Sequence, residues 1–491
     1  MDLYFKRHDG SAVTCDEFCR AMGDANDTDL TQFLSSWYCQ YGTPTVKVTH
    51  DFDAASQKYT MTFEQSGADD SQNPFIIPVR VALFNASNGS TIPLRVAKDD
   101  GPVQDRDEET TLCLTNKKHV FTFHAVSSGQ STDSAKRTKS DTMPIASIFR
   151  DFSAPVKVVF EQQTDDDLRF LLSNDTDPFN RWDSAQSLLV RALVVRAEKP
   201  APLEADVIDA LKKTLVDENV DAKLRAMVLT LPTETTLADA MDTINPVKIH
   251  DARGAAVKDV ADALHTDFLA MYKKLAQIPF DADHPTKGSA QRALKNCCLS
   301  YLCKNRDDAK RKHGLELAFS QFKAAKNMTD QFSSLSVIVN STDVTMREEA
   351  LASFYMQWKH EELVVIKFFR VQAASQFGDS RGDALEVIRH LLKHHDFDIK
   401  VPAKAGAVLN VMATFNIAFH AADGSGYKLL ADKILEADQF NGHTSARMCK
   451  QLQHWKRFAE PFSGLMKKEL ERVSASAKTN DLKEVAAIGL K

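Results

Sequence analysis

The stretch Gly42-Thr43-Pro44-Thr45-Val46-Lys47-Val48-Thr49-His50 contains the change of hydrophobic pattern that decides the fold. Its Gly-Thr-Pro start predicts the end of a helix, since glycine favours the position after a helix and proline does not continue one. From Thr45 onward apolar and polar residues alternate. They alternate again in Tyr59-Thr60-Met61-Thr62-Phe63, after a polar turn. A period of two in adjacent segments predicts a β-hairpin with one buried face.

Further short apolar segments follow the hairpin at a spacing typical of a small sandwich. They are Phe75 to Phe84, Thr91 to Val96, Thr110 to Leu114, Val120 to Phe123, Ile145 to Phe149 and Val156 to Phe160. A polar tract without apolar periodicity, Ser127 to Asp141, interrupts them, and we expect a mobile loop there. The sequence therefore predicts a small antiparallel β-sandwich over residues 44–161.

Helical periodicity lies on both sides of this sandwich. Residues 1–43 carry apolar residues three and four apart, and Thr14 or Asp16 is positioned to cap one helix. The start at Met1 has no capping residue, which we interpret as an entry in mid-helix. Residues 162–491 contain amphipathic runs separated by breaks with proline or glycine. Because no repeat of fixed length is visible, we predict a large all-α array of paired antiparallel helices without a named repeat.

Composition argues against two classes of partner. The net charge of the 491 residues is −6, which gives no general attraction for nucleic acid or anionic lipid. No window approaches the roughly 18 apolar residues of a transmembrane helix. The eight cysteines are sparse, and Cys297 and Cys298 are adjacent, a poor disulfide framework. We expect a reduced, cytoplasmic protein without a nucleic-acid or membrane partner, in which Cys15 and Cys19 are idle thiols rather than zinc ligands.

Six stretches resemble the aminopeptidase N family, the gluzincin-type alanyl aminopeptidases, in order and over nearly the whole chain. They are Leu3 to Phe5 with His8 to Gly10, Trp37-Tyr38 with Gly42 to Pro44, Phe152 to Lys157, Arg181 to Asp183 with Ala185 to Leu189, Asn327 to Asp330, and Phe419 to Ala421 with Asp423 to Tyr427. The resemblance implies a four-domain enzyme: a β domain, a thermolysin-like catalytic domain, a β-sandwich and a helical domain over the active site. This chain resembles its carboxy-terminal half, with residues 1–43 as the last helices of the catalytic domain.

The resemblance also implies partners and a cofactor. The partners are the missing N-terminal and catalytic domains, together with peptide substrates. The cofactor is zinc, bound in the parent enzyme and not by this chain.

The residues that perform the family's chemistry are missing from the sequence. Such a zinc site needs two histidines at i and i+4 of a helix, with a glutamate beside the first as general base. His360-Glu361 is followed by Val364 where the second histidine is required. The segment Gly406 to Asn410 has Leu409 where the family has a glutamate that grips the substrate's amino group. We therefore expect no catalytic residue and no bound metal, and a chain that is inactive by itself.

Arg447 and His443 are the candidate substrate-binding residues. By resemblance, Arg447 matches an arginine near the active-site chamber of bacterial relatives, where a guanidinium would meet a peptide carboxylate or carbonyl. His443, four residues earlier, would shape the same pocket. The alternative is a salt-bridged surface arginine at a helix start. A second arginine expected in the family is absent from Val401 to Gly406, which puts a paired-arginine role in doubt.

Two other groups of residues have structural interpretations. His390 and His394 are four residues apart with His395 adjacent, but no glutamate lies between them and no third ligand is evident. We expect a half-buried histidine and surface partners there. The run from Asn180 to Asp183, with Gln186, suits packing at a domain junction better than substrate contact.

Two functions remain open from the sequence. The first is the carboxy-terminal region of a zinc metallo-aminopeptidase that releases N-terminal amino acids from peptides, in which this half caps the active-site chamber and shapes peptide access. The alternative is a standalone, non-catalytic scaffold that binds peptides or proteins in a concave face. The start in mid-helix favours the first, because a standalone protein would begin at a capped element near Thr43.

Overall fold

The computed structural model describes residues 1–68, 72–99, 101–126, 143–376 and 381–491. They form two compact units, residues 1–188 and 189–491. The first contains short helices and a β-sandwich, and the second is helical, so the predicted fold class is confirmed. The predicted mobile loop at Ser127 to Asp141 lies outside the described residues.

Three short helices precede the sandwich: α1 (Asp2–His8), α2 (Cys15–Asn26) and α3 (Thr31–Trp37). Thr14 is the N-cap of α2, and its backbone N–H donates to the Glu17 carboxylate at 2.5 Å. The indole N–H of Trp37 donates to the carbonyl of Ile76 at 2.8 Å, and its ring packs against the sandwich core. This contact fixes α3 to the residue that directly precedes the strand Ile77–Phe84.

The sandwich has ten strands among the described residues. They are β1 (Thr45–Asp53), β2 (Lys58–Ser66), β3 (Ile77–Phe84), β4 (Thr91–Ile92), β5 (Arg95–Lys98), β6 (Gln104–Asp105), β7 (Glu109–Leu114), β8 (Lys118–Phe123), β9 (Ile145–Ile148) and β10 (Lys157–Val159). One sheet has the order β10-β1-β2-β8-β5-β6, and the other has the order β4-β3-β7 with β9 also paired to β3. All pairs are antiparallel except β1 with β10, which is parallel. The predicted antiparallel sandwich is therefore confirmed, with one parallel pair at this edge.

The alternation read from the hairpin produces the core. Val46, Val48, Met61 and Phe63 are fully buried, whereas their neighbours along β1 and β2 are more exposed. The predicted single strand from Thr91 to Val96 is wrong, because β4 and β5 lie in different sheets. Pro93 stands between them, and a proline without a backbone N–H interrupts a strand ladder. The two-residue strand β6 was not predicted.

A buried polar network ties the end of the sandwich to α4 (Asp165–Asn174) and the start of α5 (Pro178–Glu198). The Arg150 guanidinium, 4% exposed, donates to Asp175 at 2.6 Å and to Glu109 at 2.6 Å. Burial raises the pKa of the Asp175 carboxyl, and the charge and hydrogen bonds of Arg150 oppose that shift. Asn180 donates to the Ser147 hydroxyl at 2.7 Å. Buried polar groups therefore find their partners inside this unit.

The residues next to Asn180 also make structural contacts. The Arg181 guanidinium donates to the carbonyl of Leu172 at 3.0 Å. The Trp182 ring packs against Phe179, with ring centroids 5.6 Å apart. These contacts agree with the interpretation of this run as scaffold.

The second unit consists of helices packed mainly on their neighbours in sequence. The helices after α5 are α6 (Ala205–Val216), α7 (Ala222–Leu229), α8 (Glu234–Asp239), α9 (Pro246–Ala263), α10 (His265–Ala276), α11 (Ser289–Leu302), α12 (Asp308–Ala324), α13 (Met328–Ile338), α14 (Val344–Trp358), α15 (Glu362–Ala373), α16 (Arg381–Leu391), α17 (Pro402–Ala405), α18 (Val411–Phe415), α19 (Ser425–Ala437), α20 (Gly442–Gln453), α21 (Phe462–Ser476) and α22 (Asn480–Leu490). A π-helical turn, Gly406–Asn410, joins α17 to α18, and 3-10 turns cover Ile417–His420 and His454–Arg457. Such neighbour packing is typical of helical arrays. Across the described ranges, no helix is both long enough and apolar enough to cross a bilayer.

Candidate functional site

The candidate residues Arg447 and His443 lie on α20, whose start is held firmly. The Asn441 side chain caps the helix by accepting from the N–H of Thr444 at 2.9 Å. The Asp438 carboxylate, 2% exposed, accepts from the backbone N–H of Lys478 at 2.6 Å and from the Thr479 hydroxyl. These bonds and that of Ser445 lower the pKa of Asp438 against the effect of burial, the largest single influence. The position of α20 is thus fixed by the segment that precedes α22.

One face of α20 is buried and the other is polar and open. The buried residues are Thr444, Ser445, Ala446, Met448, Cys449 and Leu452. His443, Arg447 and Lys450 are exposed, and Gln451 and His454 continue the same face at spacings of four and three residues. We name His443, Arg447, Gln451 and His454 the polar stripe. Within the part of the chain that the structure describes, none of these four side chains forms a hydrogen bond or ion pair, so the structure gives Arg447 no salt bridge.

A cavity of about 280 Å³ lies where the polar stripe ends. Its walls come from α8 and the start of α9 on one side, and from residues 413–420 and the end of α20 on the other. A two-residue parallel bridge between Ile244 and Phe458 closes one edge, with backbone hydrogen bonds of 2.7 and 2.9 Å. Segments more than 160 residues apart in the sequence thus form one recess within the second unit.

His420 lines this cavity and is neutral there. Its Nδ1 lies 2.7 Å from the Tyr427 hydroxyl, and its ring stacks on that of Phe458 with centroids 5.4 Å apart. Burial lowers the pKa of His420 to about 4. Since the ring stays neutral at physiological pH, it contributes packing to the wall rather than positive charge.

Comparison with known proteins accounts for nearly the whole chain. Residues 42–161 match a domain of unknown function with an Ig-like fold, and residues 165–490 match a domain of unknown function with ARM repeats. Over 484 residues the chain is 33% identical to aminopeptidase N of Escherichia coli strain K12 and 32% identical to aminopeptidase N of Haemophilus influenzae. Each alignment covers 96% of this chain. The chain belongs to the aminopeptidase N family. The predicted family is therefore confirmed.

The chain spans about half the length of these relatives, 52% and 51% respectively. A similar solved structure is that of Legionella pneumophila aminopeptidase A in complex with aspartic acid, with a TM-score of 0.81 and 26% identity. The structural alignment covers 99% of this chain and 53% of the Legionella protein. The ARM-repeat and Ig-like domains are the carboxy-terminal part of such aminopeptidases, so the half matched here is the non-catalytic one.

Two stretches that carry the resemblance to aminopeptidase N have structural roles. Asn327 caps α13, and the carboxylate of Asp330 accepts from Lys295 at 2.8 Å and from Asn296 at 3.0 Å. In Phe419 to Tyr427, Gly424 adopts a φ of +74° before α19, and Tyr427 is fully buried. Asp330, Gly424 and Tyr427 therefore serve contacts within the helical unit, whereas Phe419 and His420 of the second stretch also line the cavity.

The segments tested for aminopeptidase chemistry contain no zinc or amine site. His360 lies in the turn between α14 and α15, and Val364 is in the first turn of α15. Ala407, Val408 and Leu409 of the π-helical turn are buried, so this segment faces the core. These two segments therefore do not supply the ligands of the family's catalytic zinc.

Among the described residues, one group offers three metal-ligand side chains: His394, His395 and Asp396, whose ligand atoms lie within 4.8 Å of one another. The Tyr355 hydroxyl lies 2.8 Å from Nε2 of His395 and donates to Asp396 at 2.6 Å. Burial lowers the pKa of His394, whose ring packs against aromatic side chains. The group can accept a divalent cation at the surface, without a helix-borne glutamate as base.

His390 and His394, four residues apart in the sequence, do not share a helix. Helix α16 ends at Leu391, so only His390 is helical and His394 lies in the following turn. Sequence reasoning also missed Gln451 and His454, although their spacing from Arg447 was a usable signal once α20 was assumed to be helical.

Proposed function

We propose that this chain is the carboxy-terminal region of a zinc metallo-aminopeptidase that releases N-terminal amino acids from peptides, and that it caps the active-site chamber. The observation that carries the proposal is 33% identity with aminopeptidase N along 96% of the chain, which covers only half of that relative. The zinc ligands, the general base and the amine-binding glutamate would come from the other half. This chain's own part would be to bound the chamber and orient peptides.

The partner in this proposal is the catalytic domain, and residues 1–43 would be its terminal helices. Five large aromatic side chains in the first 41 residues are at least 40% exposed: Phe5, Phe18, Phe33, Tyr38 and Tyr41. Clustered exposed rings are typical of a surface that a protein covers. Residues 44–161 would then be the sandwich, and residues 162–491 would be the capping domain.

Arg447 and His443 would contact substrate. Arg447 has an exposed guanidinium without a protein partner among the described residues, so it keeps its donors for a peptide carbonyl or carboxylate. His443 lies one turn earlier on the same face and would limit the width of the peptide path. Neither residue would move a proton in the reaction.

The same proposal places the enzyme in the cytoplasm. All eight cysteines of the chain are free thiols, and Cys298, Cys303 and Cys449 are buried. Unpaired cysteines in these numbers suit a reducing compartment.

The test joins this chain to the zinc-binding half of E. coli aminopeptidase N and compares it with the chain alone, using an alanyl fluorogenic amide and alanine tripeptides. We expect turnover by the fusion and none by the chain alone with added zinc. In the fusion, Arg447→Ala should raise KM for the tripeptide several-fold and leave the small amide nearly unchanged, because only the longer substrate reaches α20. Lys468→Ala, which removes an exposed cation from α21, is the control.

Two results would contradict the proposal. Zinc-dependent turnover by the chain alone that His394→Ala abolishes would show that this half carries its own site. A folded fusion that never cleaves, beside a chain that binds peptides on its own, would favour the standalone scaffold.

A further inference from the structure

The cavity at the end of α20 has the chemistry of a side-chain pocket. Its larger apolar lining residues include Ile244, Pro246, Ile249, Phe415, Phe419 and Phe458. Its volume of about 280 Å³ exceeds the roughly 150 Å³ in which an apolar cavity holds benzene. Phe415 is 45% exposed, an unusual exposure for a ring that borders a recess. A single large apolar side chain fits this space.

The charged side chains that line the cavity, Glu234, Asp239 and Arg457, already have partners, although the partner of Glu234 lies outside the lining. Glu234 lies 2.9 Å from His250, and the Arg457 guanidinium lies 3.4 Å from Asp239. Arg457 also donates to the carbonyl of Ala238 at 2.8 Å. These pairs brace the walls and leave no buried charge that would repel an apolar occupant.

The groups that keep free hydrogen-bonding capacity lie on the polar stripe. Gln451 and His454 line the cavity and form no hydrogen bond among the residues that the structure describes. An amide and an imidazole at the rim of an apolar recess suit a peptide backbone, whose N–H and C=O groups need partners when they leave water. The recess and its rim together select an extended peptide over a purely apolar molecule.

The spacing connects this recess to Arg447. A helix rises about 1.5 Å per residue, so Gln451 and His454 lie roughly 6 and 10 Å along α20 from Arg447. An extended peptide advances about 3.3 Å per residue. A peptide along the polar stripe therefore brings into the recess a side chain two to three residues away from the one beside Arg447.

We propose that this cavity is a distal subsite that binds a large apolar or aromatic side chain of a peptide lying along the polar stripe. The inference rests on the proposed function for the peptide's identity as substrate. It assigns a length and a sequence preference to that substrate: several residues, with an apolar residue away from the end that is cleaved.

The test measures binding of alanine pentapeptides to the 491-residue chain by calorimetry, with phenylalanine placed at each position in turn. We expect one position to bind roughly tenfold or more tightly than the all-alanine peptide, from the apolar area buried. Ala238→Trp fills the cavity from α8 and should abolish that preference. Ala240→Trp adds the same ring to an exposed position two residues away and should retain it.

A second filling variant guards against misfolding. Thr414→Trp enters from the opposite wall and should have the same effect as Ala238→Trp. The absence of any preference for phenylalanine, or a preference that survives both variants, overturns the subsite. If Arg447→Ala still weakens every peptide in that case, the proposed function stands without the subsite. If the preference for phenylalanine appears but the fusion enzyme is folded and inactive, the proposed function fails and the cavity remains a peptide pocket.

Discussion

Gly426 lies against the backbone of another segment, and the variant Gly426→Ala tests how much this close approach contributes to stability. Its position in the first turn of α19 is buried, and a Cβ added there would lie 2.4 Å from the carbonyl oxygen of Phe419 and 2.8 Å from that of Ala418. Both oxygens belong to backbone, which does not rotate away as a side chain does. The helix and the 3-10 turn that borders the cavity are therefore in contact because residue 426 has no side chain.

The expected change follows from two opposing effects. Overpacking a tight interface costs about 1–3 kcal/mol. Alanine is better than glycine within a helix by about 0.5–1 kcal/mol, which offsets part of that cost. We expect Gly426→Ala to lower the free energy of unfolding by about 1–2 kcal/mol. Gly254→Ala is the matched control, because nothing lies within 4 Å of its added Cβ in α9, and it should raise that free energy by about 0.5–1 kcal/mol.

The assay is urea unfolding followed by far-UV circular dichroism, compared at equal m-values. The two alanine variants should move the transition midpoint in opposite directions. A Gly426→Ala protein as stable as the Gly254→Ala protein would refute the reasoning, since it would mean that the turn at Phe419 yields at no cost.

Two further predictions concern buried groups. Burial keeps the pKa of His420 at about 4 in the folded state, whereas the unfolded chain takes up a proton at this residue near pH 6.5, so the free energy of unfolding decreases as the pH falls from 7.5 to 5. His420→Gln should therefore reduce that loss of stability by about 1–2 kcal/mol. Urea titrations at the two pH values measure it, and His443→Gln, at an exposed position, should behave as wild type. Asp175→Ala should lower the free energy of unfolding by about 3 kcal/mol, because it leaves the buried Arg150 with one carboxylate fewer. The control Asp166→Ala breaks an exposed ion pair and should lower it by less than about 1 kcal/mol in the same urea titration.

The parts of the fold that local pattern determines were predictable. The alternation from Thr45 and from Tyr59 gave β1 and β2. The Gly-Thr-Pro run at residues 42–44 directly precedes β1, whereas the helix α3 already ends at Trp37. The parallel pairing of β1 with β10 was not predictable, because it joins residues more than a hundred positions apart and no turn sets its direction. The end of α16 at Leu391 has no glycine or proline directly after it, so the sequence does not mark the stop.

The candidate site also has one part that local sequence pattern predicts and one part that it does not. A helical assumption for residues 442–453 is enough to place His443 and Arg447 on one face, since four residues make about one turn. The cavity beside them depends on contacts between residues 234–249 and 413–458, which no local periodicity encodes. Its role could only emerge once the chain was folded.

Two of the stretches that carry the resemblance, those around Asp330 and Gly426, differ in environment from the residues that carry the proposed function. Asp330 and Gly426 are buried and committed to contacts within the chain. Arg447 and Gln451 form no hydrogen bond or ion pair among the described residues. The recognisable residues of these two stretches thus serve packing, whereas the proposed binding falls to side chains whose donors and acceptors the described part of the fold leaves open.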